Sequence, residues 1–157
     1  MTAPARLWDW AARAYGRPGV EGACLRLQDE YGQCVPLLLW RLWTLAEGRP
    51  VDEALAAQTA AAARAWDEAA VSPLRLVRRR LATAPPPVPD RVRLALKAEL
   101  QAVELRAEKV LLDTLEAMTP APCGAQAEPE TALAELSRAW GAPAPDAALA
   151  ALAAAAA

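Results

Sequence analysis

The chain has 157 residues, of which 55% are hydrophobic, and it carries a net charge of −2 at pH 7. This length fits one domain. The complete absence of His excludes Ser-His-Asp catalysis, His metal ligands and an imidazole pH switch. The small net charge also disfavours a generally basic nucleic-acid-binding surface.

Helical periodicity dominates the first third of the chain. One apolar face defines a short first helix, formed by Leu7, Trp8, Ala11 and Tyr15. The second helix has an apolar stripe at i, i+4, i+7 and i+11, formed by Val20, Cys24, Leu27 and Tyr31. Pro36 opens a third helix in which Arg41 is the single charge before Glu47. A helix that is apolar on nearly every side is buried, so we expect it at the centre of the fold.

The middle of the chain predicts three more helices. Asp52 is a good N-cap for the fourth, and Ser72-Pro73 predicts the start of a short basic helix. Residues 84–89 (APPPVP) predict a stiff, extended spacer. The longest helix covers residues 90–118 and has two apolar rows. The first row is Leu96, Leu100, Val103, Ala107 and Val110, and the second is Leu105 and Leu112. Two rows indicate packing against two neighbours, or against one neighbour and a partner chain.

These elements predict an all-α fold, a single compact helical bundle of about six helices over residues 4–118. Residues 119–157 are expected to form a linker, one possible amphipathic helix and a low-complexity Ala/Pro-rich tail. The apolar face of that amphipathic helix is formed by Leu133, Leu136 and Trp140. Asp146 is a possible cap for a terminal Ala-rich helix, which we expect to fray.

The segment LWDWAARAYGRPGVEGACLRLQDEYGQCVPLLLWRLW resembles the signature of an uncharacterised proteobacterial family of small proteins, catalogued as a domain of unknown function. The shared positions are Leu7, Trp8, Asp9, Tyr15, Pro18, Gly19, Val20, Ala23, Cys24, Leu25, Leu27, Gln28, Asp29, Gly32, Val35, Leu37, Leu38, Leu39 and Trp43. The family usually has Asn where this chain has Pro36. The resemblance implies a bacterial source and an all-α fold, and it brings no reaction.

Two groups of residues are candidates for a functional site. The basic helix predicts an interaction surface formed by Arg75, Arg78, Arg79 and Arg80, with intramolecular pairing or solvation as the alternative. A second hypothesis is a pocket among the first three helices, built from Asp9, Trp10, Gln28, Asp29 and Arg41. Arg41 could bind a carboxylate or phosphate there, or it could form a structural salt bridge to Asp29.

We find no catalytic or metal-binding constellation and no cofactor motif, so no cofactor is predicted. The three cysteines form no CxxC pair and predict free thiols in a reducing compartment. Without a signal-peptide core or a membrane-length apolar run, we expect a cytoplasmic protein. The favoured hypothesis is a non-catalytic interaction or adaptor module with a protein partner. The alternatives are a small-molecule-binding or enzymatic helical domain and, less favoured, nucleic-acid contact through the Arg75–Arg80 helix.

Overall fold

Helices account for the regular structure in the computed structural model, which describes residues 5–83 and 87–157. Over these two ranges no strand is present, so the fold is all-α as the sequence predicts. The α-helices are α1 (Leu7–Tyr15), α2 (Val20–Tyr31), α3 (Val35–Ala46), α4 (Glu53–Trp66), α5 (Ser72–Arg80), α6 (Asp90–Met118), α7 (Pro129–Trp140) and α8 (Asp146–Ala156).

Local sequence signals explain several helix boundaries. Oδ1 of Asp52 accepts a hydrogen bond from the backbone N–H of Leu55 at 2.8 Å, which satisfies a donor that the first turn of α4 leaves free. Gly32 ends α2 with a φ of 61°, a conformation that glycine adopts without a steric penalty. Pro36 lies in the first turn of α3, where its missing N–H has no helical acceptor. The predicted roles of Asp52 and Pro36 are confirmed.

The third helix is the centre of the fold. Ten of the twelve residues of α3 are buried, and the helix packs against α1, α2, α4, α6 and α7. Each of its tryptophans donates its indole N–H to an acceptor, Trp40 to Oγ1 of Thr119 at 2.8 Å and Trp43 to the carbonyl of Ala5 at 2.9 Å. A fully buried indole needs such a partner, because an unpaired polar group in the core is costly.

The short basic helix α5 begins at Ser72 as predicted, but Ser72 does not act as an N-cap after a break, because α4 and α5 form one continuous helical segment. A π-helical turn over Asp67–Val71 joins them. The Ser72 hydroxyl donates to Oδ2 of Asp67 at 2.6 Å instead of capping a new helix. The spacer predicted at 84–89 lies in part outside the described residues, which exclude 84–86.

The C-terminal helices contribute to the same hydrophobic core as the first six. Leu133, Leu136 and Leu152 are almost fully buried within it. The expectation that the Ala-rich helix frays is wrong, because α8 packs along α2 and buries its own small and apolar side chains there. Alanine has a small side chain, so two helix backbones approach closely and a short helix gains enough contacts to stay ordered.

Hydrogen bonds connect the C-terminal part to the loops near α2 and α3. Nε2 of Gln33 donates to the carbonyl of Ala142 at 2.5 Å, and its Oε1 accepts from the Ser137 hydroxyl at 3.0 Å. The carbonyl of Gly48 accepts from the backbone N–H groups of Cys123 and Ala125 at 2.9 and 3.0 Å. The segment after α6, predicted as a linker, is therefore attached to the turn that follows α3.

Candidate functional site

The basic helix α5 directs its first two arginines at α6. Nε of Arg75 lies 3.0 Å from Oε1 of Glu104, and its Nη2 lies 3.2 Å from Oε1 of Glu108. Nε of Arg78 donates to the other oxygen of Glu104, whose side chain is only 8% exposed. These four residues form an ionic network that is largely withdrawn from water.

The network is balanced, since two guanidinium groups face two carboxylates. The hydrogen bond to Glu104 raises the pKa of the Arg78 guanidinium. Burial raises the pKa of Glu108, an effect that Arg75 opposes and the neighbouring Glu104 carboxylate reinforces. A buried ion pair of this kind fixes the geometry of α5 against α6, because breaking one side leaves a charge without a partner.

Further contacts show that α5 and α6 run antiparallel as a helical hairpin. Beyond the C-terminal end of α5, the carbonyl of Leu81 accepts a hydrogen bond from Nη1 of Arg93. Arg93 also pairs with Asp90 at 3.0 Å, in the first turn of α6. The hairpin is therefore joined along α5 by Arg75 and Arg78, and just beyond the C-terminal end of α5 by Arg93.

The predicted arginine surface is smaller than the sequence indicates. Arg75 and Arg78 are paired inside the chain, so they do not form an open basic face. Arg79 is about half exposed and pairs with Oδ1 of Asp29 on α2. Arg80 is exposed and forms no ion pair within the described residues. Only Arg79 and Arg80 therefore remain as the accessible part of that surface.

The five residues of the predicted pocket do not converge. Asp9 is exposed on α1, and Trp10 lines an open groove together with Arg17 and the end of α8. Gln28 donates to Asp29 at 3.3 Å on the exposed face of α2. Burial acts to raise the pKa of Asp29, but the hydrogen bonds from Gln28 and Arg79 outweigh it and lower that pKa.

Arg41 lies in a different groove, between α4 and α7. It is 5% exposed, and its Nη1 donates to Oγ1 of Thr44 at 3.0 Å. Asp29, the partner predicted for Arg41, pairs with Arg79 instead. Among the described residues, no carboxylate lies within 4.0 Å of the Arg41 guanidinium. Burial lowers the pKa of Arg41, and the more distant Glu135 opposes that effect. The groove has a volume of about 530 Å³, and its rim carries Asp52, Glu53, Glu135 and Arg138.

The cysteines provide no reactive group in the core. Cys24 and Cys34 are buried, and burial raises the pKa of each thiol to about 12. A thiol with so high a pKa carries almost no thiolate at neutral pH and is a poor nucleophile. Cys123 is exposed, and all three are free in the structure, as the spacing predicts.

The sequence analysis gave a partner chain as one alternative for the apolar rows of α6, but it did not name the apolar surface on the α5–α6 hairpin as a candidate site. The described residues include nine large hydrophobic side chains that are exposed, and eight of them lie between positions 76 and 110. They are Leu76, Val77, Val88, Val92, Leu94, Leu96, Leu105 and Val110. The signal was present in the two apolar rows of α6, which exceed what one neighbouring helix covers.

No helix within residues 5–83 and 87–157 is long and apolar enough to cross a membrane. In the same ranges, no group of three or more Cys, Asp or Glu side chains is arranged to hold a metal ion.

The fold and these surfaces define an all-α protein whose exposed apolar side chains are concentrated on one helical hairpin. A family model described as "Protein of unknown function (DUF2390)" matches residues 6–115, well over half of the chain. The chain therefore belongs to this family, which confirms the resemblance of the N-terminal segment to a family of unknown function. No curated protein and no solved structure matches the chain.

Proposed function

We propose that this protein is a non-catalytic interaction module, and that the outer face of the α5–α6 hairpin binds a protein helix. The observation that carries the proposal is the concentration of exposed large apolar residues between positions 76 and 110. A concentration of exposed apolar side chains on one element marks a contact site, whereas single exposed hydrophobic residues are ordinary. The buried ionic network supports the proposal, because it holds the two helices in one arrangement before a partner arrives.

The hairpin offers a better contact surface than the arginines alone. Arg75 and Arg78 already have carboxylate partners within the chain. If Arg75 and Arg78 were to bind an external acidic partner or nucleic acid, the ionic network would first have to break. Arg79 and Arg80 are exposed on the same helix as Leu76 and Val77, and such peripheral charges orient a partner more than they add affinity.

The test is a pull-down with the tagged full-length protein and quantitative mass spectrometry. Leu96→Glu places a charge in the apolar face, whereas Leu25→Glu is a matched control on α2, since these leucines are 48% and 42% exposed. We expect a protein that the wild type and Leu25→Glu capture and Leu96→Glu loses. Equal capture by all three, with unchanged circular dichroism, would refute the hairpin as the contact surface. A variant with Arg79 and Arg80 both changed to Glu measures the contribution of the accessible arginines.

A second candidate function is the binding of a small molecule in the groove above Arg41. The observation that favours it is a buried guanidinium with no carboxylate partner among the described residues. The acidic rim favours a ligand that carries a carboxylate for Arg41 and a cationic group for the rim, such as a free amino acid. A thermal-shift screen of amino acids should then stabilise the wild type and not Arg41→Met, and no stabilisation of the wild type would remove this candidate.

A further inference from the structure

One stripe of α6 combines exposed apolar residues with two exposed charges at a regular spacing. Its members follow one another at intervals of 4, 3, 4, 3 and 4 residues, and we name them the α6 stripe: Val92, Leu96, Glu99, Val103, Arg106 and Val110. This alternation is the heptad spacing of a helix that packs along another helix. At a rise of about 1.5 Å per residue, the stripe is about 27 Å long.

Most of the stripe is uncovered in the single chain, and Val103 is partly buried. Val92, Leu96 and Val110 are 54%, 48% and 47% exposed. The α5 helix packs on a neighbouring face of α6 that contains Arg93, Glu104 and Glu108. Adjacent residues in an α-helix are turned by about 100°, so a helix could lie on the stripe without displacing α5.

The two charges of the stripe are exposed and have no ionic partner within residues 5–83 and 87–157. Most other charged residues of α6 pair inside the chain, for example Glu104 with Arg75 and Lys109 with Asp113. Glu99 and Arg106 form no such pair, and both side chains are exposed to solvent on the stripe. They are seven residues apart, which places them about 10 Å from each other along the helix axis.

This charge pattern is complementary to itself in one orientation. If two copies of the stripe lie antiparallel, with the two-fold axis crossing between Glu99 and Arg106, each Glu99 comes within reach of the other copy's Arg106. Val103 then lies near the axis, and the N-terminal apolar residues of one stripe approach Val110 of the other. A parallel pairing would place Glu99 against Glu99 and Arg106 against Arg106, which is repulsive.

We infer that the partner of the α6 stripe is a second copy of this chain, bound as an antiparallel two-fold dimer with reciprocal Glu99–Arg106 ion pairs. The inference rests on the proposed function, because it takes the hairpin as the contact surface and names its partner. A symmetric homodimer requires a surface that is complementary to itself, and the stripe has both the apolar and the charged elements of one. The exposed ion pairs set the orientation, while the apolar residues provide most of the affinity.

The test is sedimentation velocity on the purified full-length chain across a concentration series. The wild type is expected to be a dimer that dissociates on dilution. Glu99→Arg and Arg106→Glu should each weaken the dimer by at least about tenfold, because each creates two like-charge contacts. The double variant Glu99→Arg/Arg106→Glu should restore the wild-type dissociation constant within about threefold, since the pairs re-form with the charges exchanged. Arg91→Glu is the matched control, because Arg91 is an exposed residue of α6 outside the stripe and its reversal should change nothing.

Three results would overturn the inference: a monomer at every concentration, a dimer that is insensitive to both single reversals, or single effects that the double variant does not correct. The proposed function fails separately. A monomer that still captures another protein through Leu96 keeps the hairpin as a contact surface and removes the second copy as its partner. A monomer with no Leu96-dependent capture removes both.

Discussion

The two halves of α6 have similar residue types and opposite surroundings. In the C-terminal half, Leu111, Leu112 and Leu115 are almost completely buried against the core. In the N-terminal half, Val92 and Leu96 remain about half exposed, and the buried ionic network attaches α6 to α5 near the middle of the helix, at Glu104 and Glu108. The same helical periodicity therefore serves the core at one end and a free surface at the other. A pattern of apolar residues shows which face is suited to burial, and the tertiary structure decides whether anything covers it.

The largest effect is expected in the C-terminal half. Leu115→Ala removes a side chain that is fully buried and leaves a cavity, so it should lower the free energy of unfolding by about 2–5 kcal/mol. Urea denaturation followed by circular dichroism measures this difference. A loss below about 1 kcal/mol would mean that this half of α6 is less tightly packed than the comparison requires.

The ionic network should give the next largest effect. Glu104→Gln leaves Arg78 without its carboxylate partner and weakens the attachment of Arg75, so it should lower the free energy of unfolding by about 2 kcal/mol. Glu99→Gln is the control, measured on dilute protein so that the inferred dimer does not contribute, because Glu99 is exposed on the same helix and forms no ion pair in the described residues. Equal losses for the two variants in urea denaturation would show that the network does not hold the hairpin. Arg78→Ala should cost more than the roughly 0.5 kcal/mol typical of an exposed residue, because Arg78 is paired with Glu104.

Glu108 should reveal the cost of burying a carboxylate in this network. Because its pKa is raised in the folded chain, the folded state binds the Glu108 proton more tightly than the unfolded state does. The stability from this group is present below the ordinary carboxyl pKa and is lost as the pH rises through the raised pKa. Glu108→Gln removes that loss, so the variant should be more stable than the wild type at neutral pH. Denaturation at several pH values should show that the difference in free energy of unfolding between Glu108→Gln and the wild type disappears on acidification. A difference that grows on acidification would contradict this prediction.

The smallest effect is expected in the N-terminal half of α6, where Leu96 is exposed. Leu96→Ala should change the free energy of unfolding of the dilute protein by less than about 0.5 kcal/mol, because the side chain packs against little in the single chain. Leu96 and Leu115 lie in one helix, so the pair compares surroundings with the residue type held constant. A cost at Leu96 close to that at Leu115 would show that the N-terminal half is covered in the state that is measured.

Much of the fold follows from local signals, and the site does not. The Asp52 cap, the Gly32 helix end and the central position of α3 each depend on residues within one or two helical turns. The partners of Arg75 and Arg78 lie 26 to 33 residues away, so nothing local to α5 indicates that these side chains are paired. The prediction that α8 frays was wrong for the same reason, since its low-complexity sequence gives no sign of the α2 surface on which it packs.

The packing of α8 on α2 also has a consequence for the way the chain is made. The hydrogen bond from Arg17 to the carbonyl of Ala156 spans 139 residues, so it cannot form until nearly the whole described chain has left the ribosome. During elongation the apolar stripe of α2 has no α8 to cover it, and exposed stripes of this kind attract chaperones and other nascent chains. Because its contacts are so distant in sequence, this helical protein should fold more slowly than helical bundles whose neighbours are adjacent in the chain. The α2 stripe is therefore most open to such contacts while the chain is still on the ribosome.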